Sequence, residues 1–360
     1  MKFCVILGTR PEIIKLSPVI RACEARGLDY FMVHTGQHYS YEMDRIFFNE
    51  LHLPQPSYNL DVGSGSHGHQ TGKMLAGIED ILQKEKPDIV YVQGDTNTVL
   101  AGALAAAKLQ IKIGHVEAGL RSFDRSMPEE VNRVVADHVS DLLFAPTEPC
   151  RQQLLREGID PGRIFVTGNT IVDAVRENLK ISEDSKILEK LGVTIGSYML
   201  STMHRQENVD DKEKLADILK GLDMVSAEFD MPIILPLHPR TRKMMETFGI
   251  KAPENVRLIE PIGFMDFLRA EANARLVLTD SGGVQEESCI LGVPCVTLRE
   301  NTERSETLDV GANMLAGHRH GEIQRCARAM MGKDGGWQNP FGDGHAGERI
   351  LDVTIKMLNA

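Results

Sequence analysis

The chain lacks the features that mark disulfide-bonded, membrane-spanning and nucleic-acid-binding proteins. Its six cysteines form no C-x-x-C pair, so we expect reduced thiols in a cytoplasmic protein. No apolar run approaches the ~20 residues of a membrane span. The opening "MKFCVILG" has too short an apolar stretch for a signal peptide and is predicted to be a β-strand. A formal net charge of -11 argues against general binding to nucleic acid, which needs a basic face.

The sequence also contains no G-x-G-x-x-G fingerprint, no low-complexity tract and no short repeat, so nothing supports a nicotinamide or flavin site. With 42% hydrophobic and 25% charged residues, the composition is that of a folded protein with a core of ordinary size. A length of 360 residues exceeds one ordinary core, and we therefore expect two domains.

Short β-branched runs alternate with longer helical patterns along most of the chain. This alternation is typical of parallel sheets covered by helices, and it predicts an α/β fold with two open sheets and a cleft between them. The polar segment "RENLKISEDSKILEKLGV" separates two series of strands. The predicted strands are FCVIL, YFMVHT, IVYVQ, IKIGHV, LLFAP and IFVTG in the first series, and SYMLSTM, PIILPLHP, VRLIEPIG, RLVLTD and PCVTLR in the second.

Charged side chains gather where the strands of the first half end. Arg10 and Lys15 follow the first strand in "GTRPEIIK", which is either an anion clamp or a plain strand–helix turn with two surface cations. Asp95 and Glu117 each come just after an apolar strand, where burial can raise the pKa of a carboxyl group into the working range of an acid or base. Glu129 opens a helix, where acidic residues are also common for dipole reasons.

The second half places phosphate-binding chemistry at its strand ends. His204 and His238 each lie beside an arginine after successive strands, which favours a wall that faces a diphosphate. In "TDSGGVQEES" residues 281–283 form the first turn of a helix, whose free N–H groups can hold phosphate oxygens. Glu287 lies one helical turn beyond Gly283, on the side where the ribose of a nucleotide would hang, and a carboxylate accepts two hydrogen bonds from a diol.

Two histidine pairs raise the alternative of a metal site. They are His67 with His69 and His318 with His320, but no Cys, Asp or Glu completes a convincing ligand set around either pair. We therefore expect no metal.

Taken together, these segments resemble one family, the non-hydrolysing UDP-N-acetylglucosamine 2-epimerases. They occur in the family's order from Gly8 to about Gly317, and such a series is far more specific than any single glycine motif. The matching segments are GTRPEIIKLSPVI, VQGDTNT, GHVEAGLRS, MPEEVNR, MHRQEN, LHPRT, TDSGGVQEE and TERSET.

The resemblance implies a glycosyltransferase-B-like arrangement of two Rossmann-like domains. We assign residues 1–175 to the domain with the catalytic carboxylates, residues 176–345 to the nucleotide-binding domain, and residues 346–360 to a final helix that returns to the first domain. The resemblance further implies a homodimer that needs neither nicotinamide nor metal.

The resemblance also implies roles for individual residues. Asp95, Glu117 and Glu129 match the essential carboxylates, and His204 matches the histidine beside the diphosphate. The remaining matches are Arg10 and Lys15 as ligand contacts, Ile262 and Phe267 at the uracil, Ser281, Gly282 and Gly283 as the phosphate turn, Glu287 at the ribose, and Arg304 in "TERSE".

The implied reaction interconverts UDP-N-acetylglucosamine and UDP-N-acetylmannosamine at carbon 2. Because the proton on that carbon is not acidic, the hypothesis is an anti elimination and re-addition of UDP, with one carboxylate as base and another group as acid. Which residue fills which role stays open. The alternatives are a UDP-sugar-dependent glycosyltransferase of the same fold and a non-catalytic nucleotide-sugar sensor.

Overall fold

The computed structural model describes residues 1–37 and 41–359, which form two compact units. The first unit comprises Met1–Arg176 together with Phe341–Ala360, and the second comprises Glu177–Pro340. Residues 341–345, which the sequence analysis assigned to the second domain, group with the first unit. The Asn169 amide donates to the Phe341 carbonyl, and the Arg349 guanidinium binds the Asp343 carboxylate.

The first unit is built on a parallel sheet of seven strands in the order β3-β2-β1-β4-β5-β6-β7. Every strand pairs in parallel with its neighbours, and the buried runs of β1 and β4 explain their apolar sequences. The strands are β1 Lys2–Leu7, β2 Asp29–His34, β3 Tyr58–Asn59, β4 Ile89–Gln93, β5 Lys112–Val116, β6 Leu142–Ala145 and β7 Ile164–Val166.

The second unit repeats this plan with six parallel strands in the order β10-β9-β8-β11-β12-β13. In each sheet the strand order reverses between two neighbouring strands, β1 and β4 in the first unit and β8 and β11 in the second. Such a position is the topological switch point, where open α/β sheets bind ligands. The strands are β8 Met199–Thr202, β9 Ile233–Pro236, β10 Val256–Ile259, β11 Leu276–Thr279, β12 Cys295–Thr297 and β13 Asn313–Leu315.

Helices connect the strands in both units. Within the described residues, no helix has the length and hydropathy that crossing a bilayer requires. The helices are α1 Arg10–Ala25, α2 Tyr41–Glu50, α3 His67–Glu85, α4 Asn97–Lys108, α5 Pro128–Val139, α6 Glu148–Arg156, α7 Thr170–Ile181, α8 Ile187–Leu191, α9 Gln206–Val209, α10 Lys212–Phe229, α11 Pro239–Phe248, α12 Phe264–Ala272, α13 Gly282–Leu291, α14 Ser305–Asp309, α15 His320–Met331 and α16 Ala346–Leu358, with short 3-10 turns at Pro161–Arg163 and Ser182–Asp184.

The last helix, α16, packs against α1 within the first unit. The Tyr91 hydroxyl of β4 donates to the Thr354 hydroxyl at 2.8 Å, and a Cβ on Gly347 would lie 2.8 Å from the Pro18 carbonyl carbon. This close approach of two helices needs a residue without a side chain. The predicted α/β fold with two Rossmann-like sheets is confirmed.

Candidate active site

The turn after β1 is fixed by a buried glutamate. Glu12 is the third residue of α1, and its carboxylate accepts hydrogen bonds from the Gly8 amide at 2.8 Å and the Thr9 hydroxyl at 3.0 Å. Its other oxygen accepts from the Thr96 hydroxyl at 2.5 Å, which ties this turn to the one after β4. Gly8 is obligatory, because a Cβ there would lie 1.9 Å from the Thr35 hydroxyl oxygen.

Asp95 stands at the switch point, directly after β4. Its carboxylate forms an ion pair with Arg133 of α5, and the Asn132 amide donates to the Asp95 carbonyl at 2.9 Å. Burial raises the pKa of Asp95, the charge of Arg133 offsets part of this, and the nearby Glu117 charge raises it again. A carboxyl group with a raised pKa suits exchange of a proton near neutral pH.

Arg10 and Lys15 of α1 have different partners. The Lys15 ammonium lies 2.8 and 2.6 Å from the two oxygens of Glu117, which also accepts from the Gln93 amide at 2.5 Å. The Arg10 guanidinium lies over the Phe47 ring, 5.4 Å from its centroid. Glu117 follows β5 with φ of +70°, a left-handed conformation that costs energy for a residue with a side chain. The structure thus holds the Glu117 carboxylate in a strained, fixed position beside Asp95.

A buried charge network supports both carboxylates from behind. His115 of β5 donates from Nδ1 to Asp137 at 2.7 Å and from Nε2 to the Gly94 carbonyl at 2.8 Å. Burial opposes the charged ring, but the negative Asp137 outweighs it and raises the pKa of His115. Asp137 also binds Arg121 at 2.7 Å and the Gly119 amide at 3.2 Å. These contacts anchor the backbone beside Asp95 and just after Glu117.

The adjacent glutamates of α5 differ sharply in environment. Glu130 is buried and accepts from the Ser122 and Phe123 amides at 2.9 and 3.0 Å, which organises the preceding loop. Glu129 is exposed and lines a pocket of about 360 Å³ together with Thr96 and Asn97, next to the Asp95 turn. Glu129 is therefore open to a ligand, whereas Glu130 has a structural role.

In the second unit, Asp280 organises the turns after β8 and β11. This fully buried carboxylate accepts from the His204 and Arg205 amides at 3.0 and 2.9 Å, and its Oδ1 lies 3.3 Å from the His204 ring. Burial opposes its ionisation, but these hydrogen bonds prevail and lower the pKa of Asp280. The His204 ring is 40% exposed and lies 5.4 Å from the His238 ring, so the two histidines form one polar surface.

The helix α13 begins as the glycine pattern predicts. Ser281 is the N-cap and donates its amide to the Thr279 hydroxyl at 2.9 Å, and Gly282 is the first helical residue. A Cβ on Gly282 would lie 2.6 Å from the Glu303 carboxylate, whereas a Cβ on the exposed Gly283 would meet only the Ser281 hydroxyl at 3.9 Å. The space beside Gly282 is thus filled by Glu303, whereas the space beside Gly283 is open. An anion can therefore approach the free N–H groups of the helix start at Gly283.

The two carboxylates that follow this turn face different partners. Glu286 lies 3.0 Å from the Arg304 guanidinium. Glu287 is 9% exposed and interacts with the carboxyl group of Glu271, whose other contact is the Ser288 hydroxyl at 2.7 Å. The negative charge behind the predicted phosphate turn is therefore held in two ways, by an ion pair between Glu286 and Arg304 and by the carboxyl pair of Glu287 and Glu271.

The residues that match the uracil contacts lie close to this turn. Ile262 and Phe267 pack on an apolar cluster that includes Val284, the residue after Gly283. An apolar surface beside a phosphate turn is the combination that a nucleobase and its phosphates require.

The structure brings some of the predicted site residues together. The predicted residues Lys15, Asp95 and Glu117 interact with one another. Sequence reasoning missed the residues that position the site, of which Glu12 and Asp280 matter most. The T-x-x-E spacing of Thr9 and Glu12 is a capping-box signal that could have identified Glu12.

The histidine pairs considered for metal binding have other contacts. His67 lies 3.3 Å from the Asn97 amide, His318 pairs with Glu300 and His320 with Asp217. Among the side chains that the structure describes, no group of three from His, Cys, Asp and Glu could hold a metal ion.

Comparison with known proteins supplies the family. The family model described as UDP-N-acetylglucosamine 2-epimerase matches residues 21–355. The UDP-N-acetylglucosamine 2-epimerase of Methanocaldococcus jannaschii is 56% identical over 98% of both chains. The UDP-2,3-diacetamido-2,3-dideoxy-D-glucuronate 2-epimerase of Pseudomonas aeruginosa is 42% identical, over 99% of this chain and 100% of that protein.

A solved structure gives the same result. The crystal structure of the M. jannaschii UDP-GlcNAc 2-epimerase in complex with UDP-GlcNAc and UDP superposes with a TM-score of 0.87, at 56% identity, over 99% of this chain and 100% of that chain. The predicted glycosyltransferase-B-like fold class is thereby confirmed. The chain belongs to the UDP-N-acetylglucosamine 2-epimerase family.

Proposed function

We propose that this protein interconverts UDP-N-acetylglucosamine and UDP-N-acetylmannosamine. The observation that carries the proposal is 56% identity over 98% of the chain to a relative that bears this activity in its name. The carboxylates at the switch point of the first unit and the open helix start in the second supply the chemistry that such a reaction needs.

The proposed reaction breaks and re-forms the bond between C1 and the diphosphate. A carboxylate takes the proton from C2 while the C1–O bond breaks, so that the electron pair departs with UDP and a glycal remains. UDP then re-adds to C1, and a carboxylic acid returns a proton to the opposite face of C2. We assign these proton transfers to Asp95, Glu117 and Glu129, because all three lie at or beside one set of strand ends.

We assign recognition of the UDP moiety mainly to the second unit. The free N–H groups near Gly283 take the diphosphate, with His204 beside it and Arg304 as a further positive charge. Glu287 accepts from the ribose hydroxyls, and the apolar surface of Ile262 and Phe267 takes the uracil. Arg10 and Lys15 of the first unit act as further ligand contacts, and Lys15 also forms an ion pair with Glu117.

Incubation of the purified protein with UDP-N-acetylglucosamine alone tests the function. The proposal predicts a mixture of two UDP-sugars and no net loss of UDP-sugar. Release of free UDP would indicate a hydrolysing enzyme, and an unchanged substrate that reacts only after an acceptor is added would indicate a glycosyltransferase.

A second candidate is the same epimerisation on a more substituted UDP-sugar. The 42% identity to an epimerase named for a diacetamido glucuronate favours it. A side-by-side assay of both UDP-sugars decides, because the true substrate should have the higher kcat/KM.

We also propose a homodimer that works in the cytoplasm. The dimer follows from the family resemblance, and light scattering of the purified protein tests it. All six cysteines are free and buried, which fits a reducing compartment.

A further inference from the structure

Two glutamates of the second unit, one on α12 and one on α13, interact with each other. Glu271 lies on the last turn of α12 and is fully buried, and Glu287 on α13 is 9% exposed. Their carboxyl groups are in hydrogen-bonding contact. Two negative charges this close in a buried site repel strongly, so the pair is stable with one shared negative charge rather than two.

The contacts of Glu271 indicate which oxygen carries the proton. Oε1 accepts from the Ser288 hydroxyl at 2.7 Å. Oε2 is shielded from solvent, and no donor among the described residues reaches it. An ionised carboxylate would leave that oxygen buried without a partner, which is costly. A proton on Oε2 turns the same atom into a donor, for which the neighbouring Glu287 carboxylate can be the acceptor.

We propose that Glu271 is the neutral acid of this pair and that its Oε2–H donates to the Glu287 carboxylate, which makes Glu271 a positioning residue for ribose recognition. The proposal builds on the function proposed above, in which Glu287 accepts from the ribose hydroxyls. With one oxygen fixed from behind, the Glu287 carboxylate keeps its charge and a single orientation for a diol.

The surroundings of Glu271 support this assignment. Burial raises the pKa of Glu271 well above its ordinary value, and the charge of Glu287 raises it further. A further titratable group that interacts with Glu271 is the Cys295 thiol of β12, and burial raises the pKa of that thiol as well. Both effects on Glu271 favour its protonated form and leave the negative charge on the more exposed Glu287.

The test compares two substitutions in the full-length protein, with UDP as the probe. Glu271→Gln keeps an N–H donor, so we expect UDP affinity within about twofold of the wild type. Glu271→Met has a similar length but no donor, so we expect UDP to bind about tenfold more weakly. The preference for UDP over 2′-deoxy-UDP should persist in Glu271→Gln and shrink towards unity in Glu271→Met, because only the ribose contact is disturbed.

UDP affinity measured over a pH series shows whether Glu271 positions Glu287 or only fills space. In the wild type, UDP affinity should fall in the alkaline range as Glu271 loses its proton and the two carboxylates repel. In Glu271→Gln this fall should be absent, and any titration of UDP itself is common to both proteins. Equal alkaline losses in the two proteins, or a Glu271→Gln variant as weak as Glu271→Met, would overturn the proposal.

An infrared difference spectrum decides the protonation state without a ligand. Wild type minus Glu271→Gln at neutral pH should show the C=O stretch of a protonated carboxyl group, and its absence contradicts the proposal. This measurement also holds if Glu271→Met fails to fold. If the wild type does not bind UDP at all, the proposed function fails, while the infrared band still tests the state of Glu271.

Discussion

The two units use one strand order for two different kinds of chemistry. In both, candidate residues follow the strands at and next to the topological switch point, β1, β4 and β5 in the first unit and β8 and β11 in the second. The first unit places carboxylates there, each beside a cation, as in the pairs Asp95–Arg133 and Glu117–Lys15. The second places a helix start with an open glycine. Topology thus determines where a site lies, and the strand-end residues determine what it does.

The buried carboxyl groups that support the two sites, Glu12 and Asp280, differ in their pKa. Glu12 behind the first site has its pKa raised to about 7 by burial, which its hydrogen bonds only partly offset. Asp280 behind the second site has a lowered pKa, because hydrogen bonds from His204 and Arg205 outweigh burial. The first unit therefore keeps a carboxyl group near its titration point, whereas the second holds a permanent negative charge.

The largest effect should come from Asp95→Asn, which removes a carboxylate from the first unit. We expect turnover about a thousandfold lower, with UDP affinity nearly unchanged because we assign UDP binding mainly to the second unit. Steady-state kinetics and calorimetry with UDP measure the two quantities.

The matched control is Asp141→Asn. Asp141 has the same 34% side-chain exposure as Asp95 and pairs with Lys112 at 2.8 Å, but it precedes β6, at the opposite edge of the sheet. Its substitution should leave turnover intact. The assignment of proton transfer to the first unit is contradicted if Asp95→Asn keeps near-normal turnover, or if Asp141→Asn loses as much turnover as Asp95→Asn.

The pH dependence of stability should distinguish the two supporting carboxylates. Between pH 4.5 and about 7 the folded chain keeps a proton on Glu12 that the unfolded chain releases. The free energy of unfolding therefore falls as pH rises through this window, by about 3 kcal/mol at most. The stabilisation from Asp280, whose folded pKa lies below 3.8, is instead lost only as pH falls through that value.

Chemical denaturation of wild type and Glu12→Gln across this range measures the difference, and hydrogen exchange assigns it to a unit. The wild type should lose stability relative to Glu12→Gln as pH rises, with the change confined to the first unit. Parallel pH curves for the two proteins would contradict the assignment.

The smallest effect should come from Gly283→Ala in the second unit. A methyl group there enters the space through which we propose that the diphosphate approaches, so UDP affinity should fall about tenfold while the fold is kept. Gly321→Ala is the control, because Gly321 is also the second residue of its helix and a Cβ there meets no described atom within 4 Å. Equal UDP affinity in the two variants would show that the diphosphate does not use this helix start.

The fold was largely predictable because its strands are buried apolar runs that end at recognisable turn or helix-start residues. "RLVLTD" became β11, and the predicted helix start at Gly282 is the first residue of α13. The edge strands β3 and β13 were missed, because Tyr58–Asn59 and Asn313–Leu315 are short and contain no β-branched residue. Predicted strands such as "PIILPLHP" also ran too far, because their polar ends leave the sheet and enter the site.

For the site, the sequence predicts individual candidate residues but not the contacts that hold them in place. Strand-end rules marked Asp95, Glu117 and His204 as candidates, and the glycine pattern predicted the helix start at residues 281–283. The supporting contacts join residues far apart in sequence, such as Glu12 with Thr96 across 84 positions. Local sequence carries no signal for such contacts, because they depend on which strands become neighbours.

The central claim is that carboxylates of the first unit move a proton at C2 while the second unit holds UDP. Incubation of the wild type with UDP-N-acetylglucosamine in D₂O, followed by NMR at C2, tests it most directly. The account predicts that UDP-N-acetylmannosamine appears with deuterium at C2, and that Asp95→Asn binds UDP yet incorporates almost none. Product that keeps its original C2 hydrogen would contradict it.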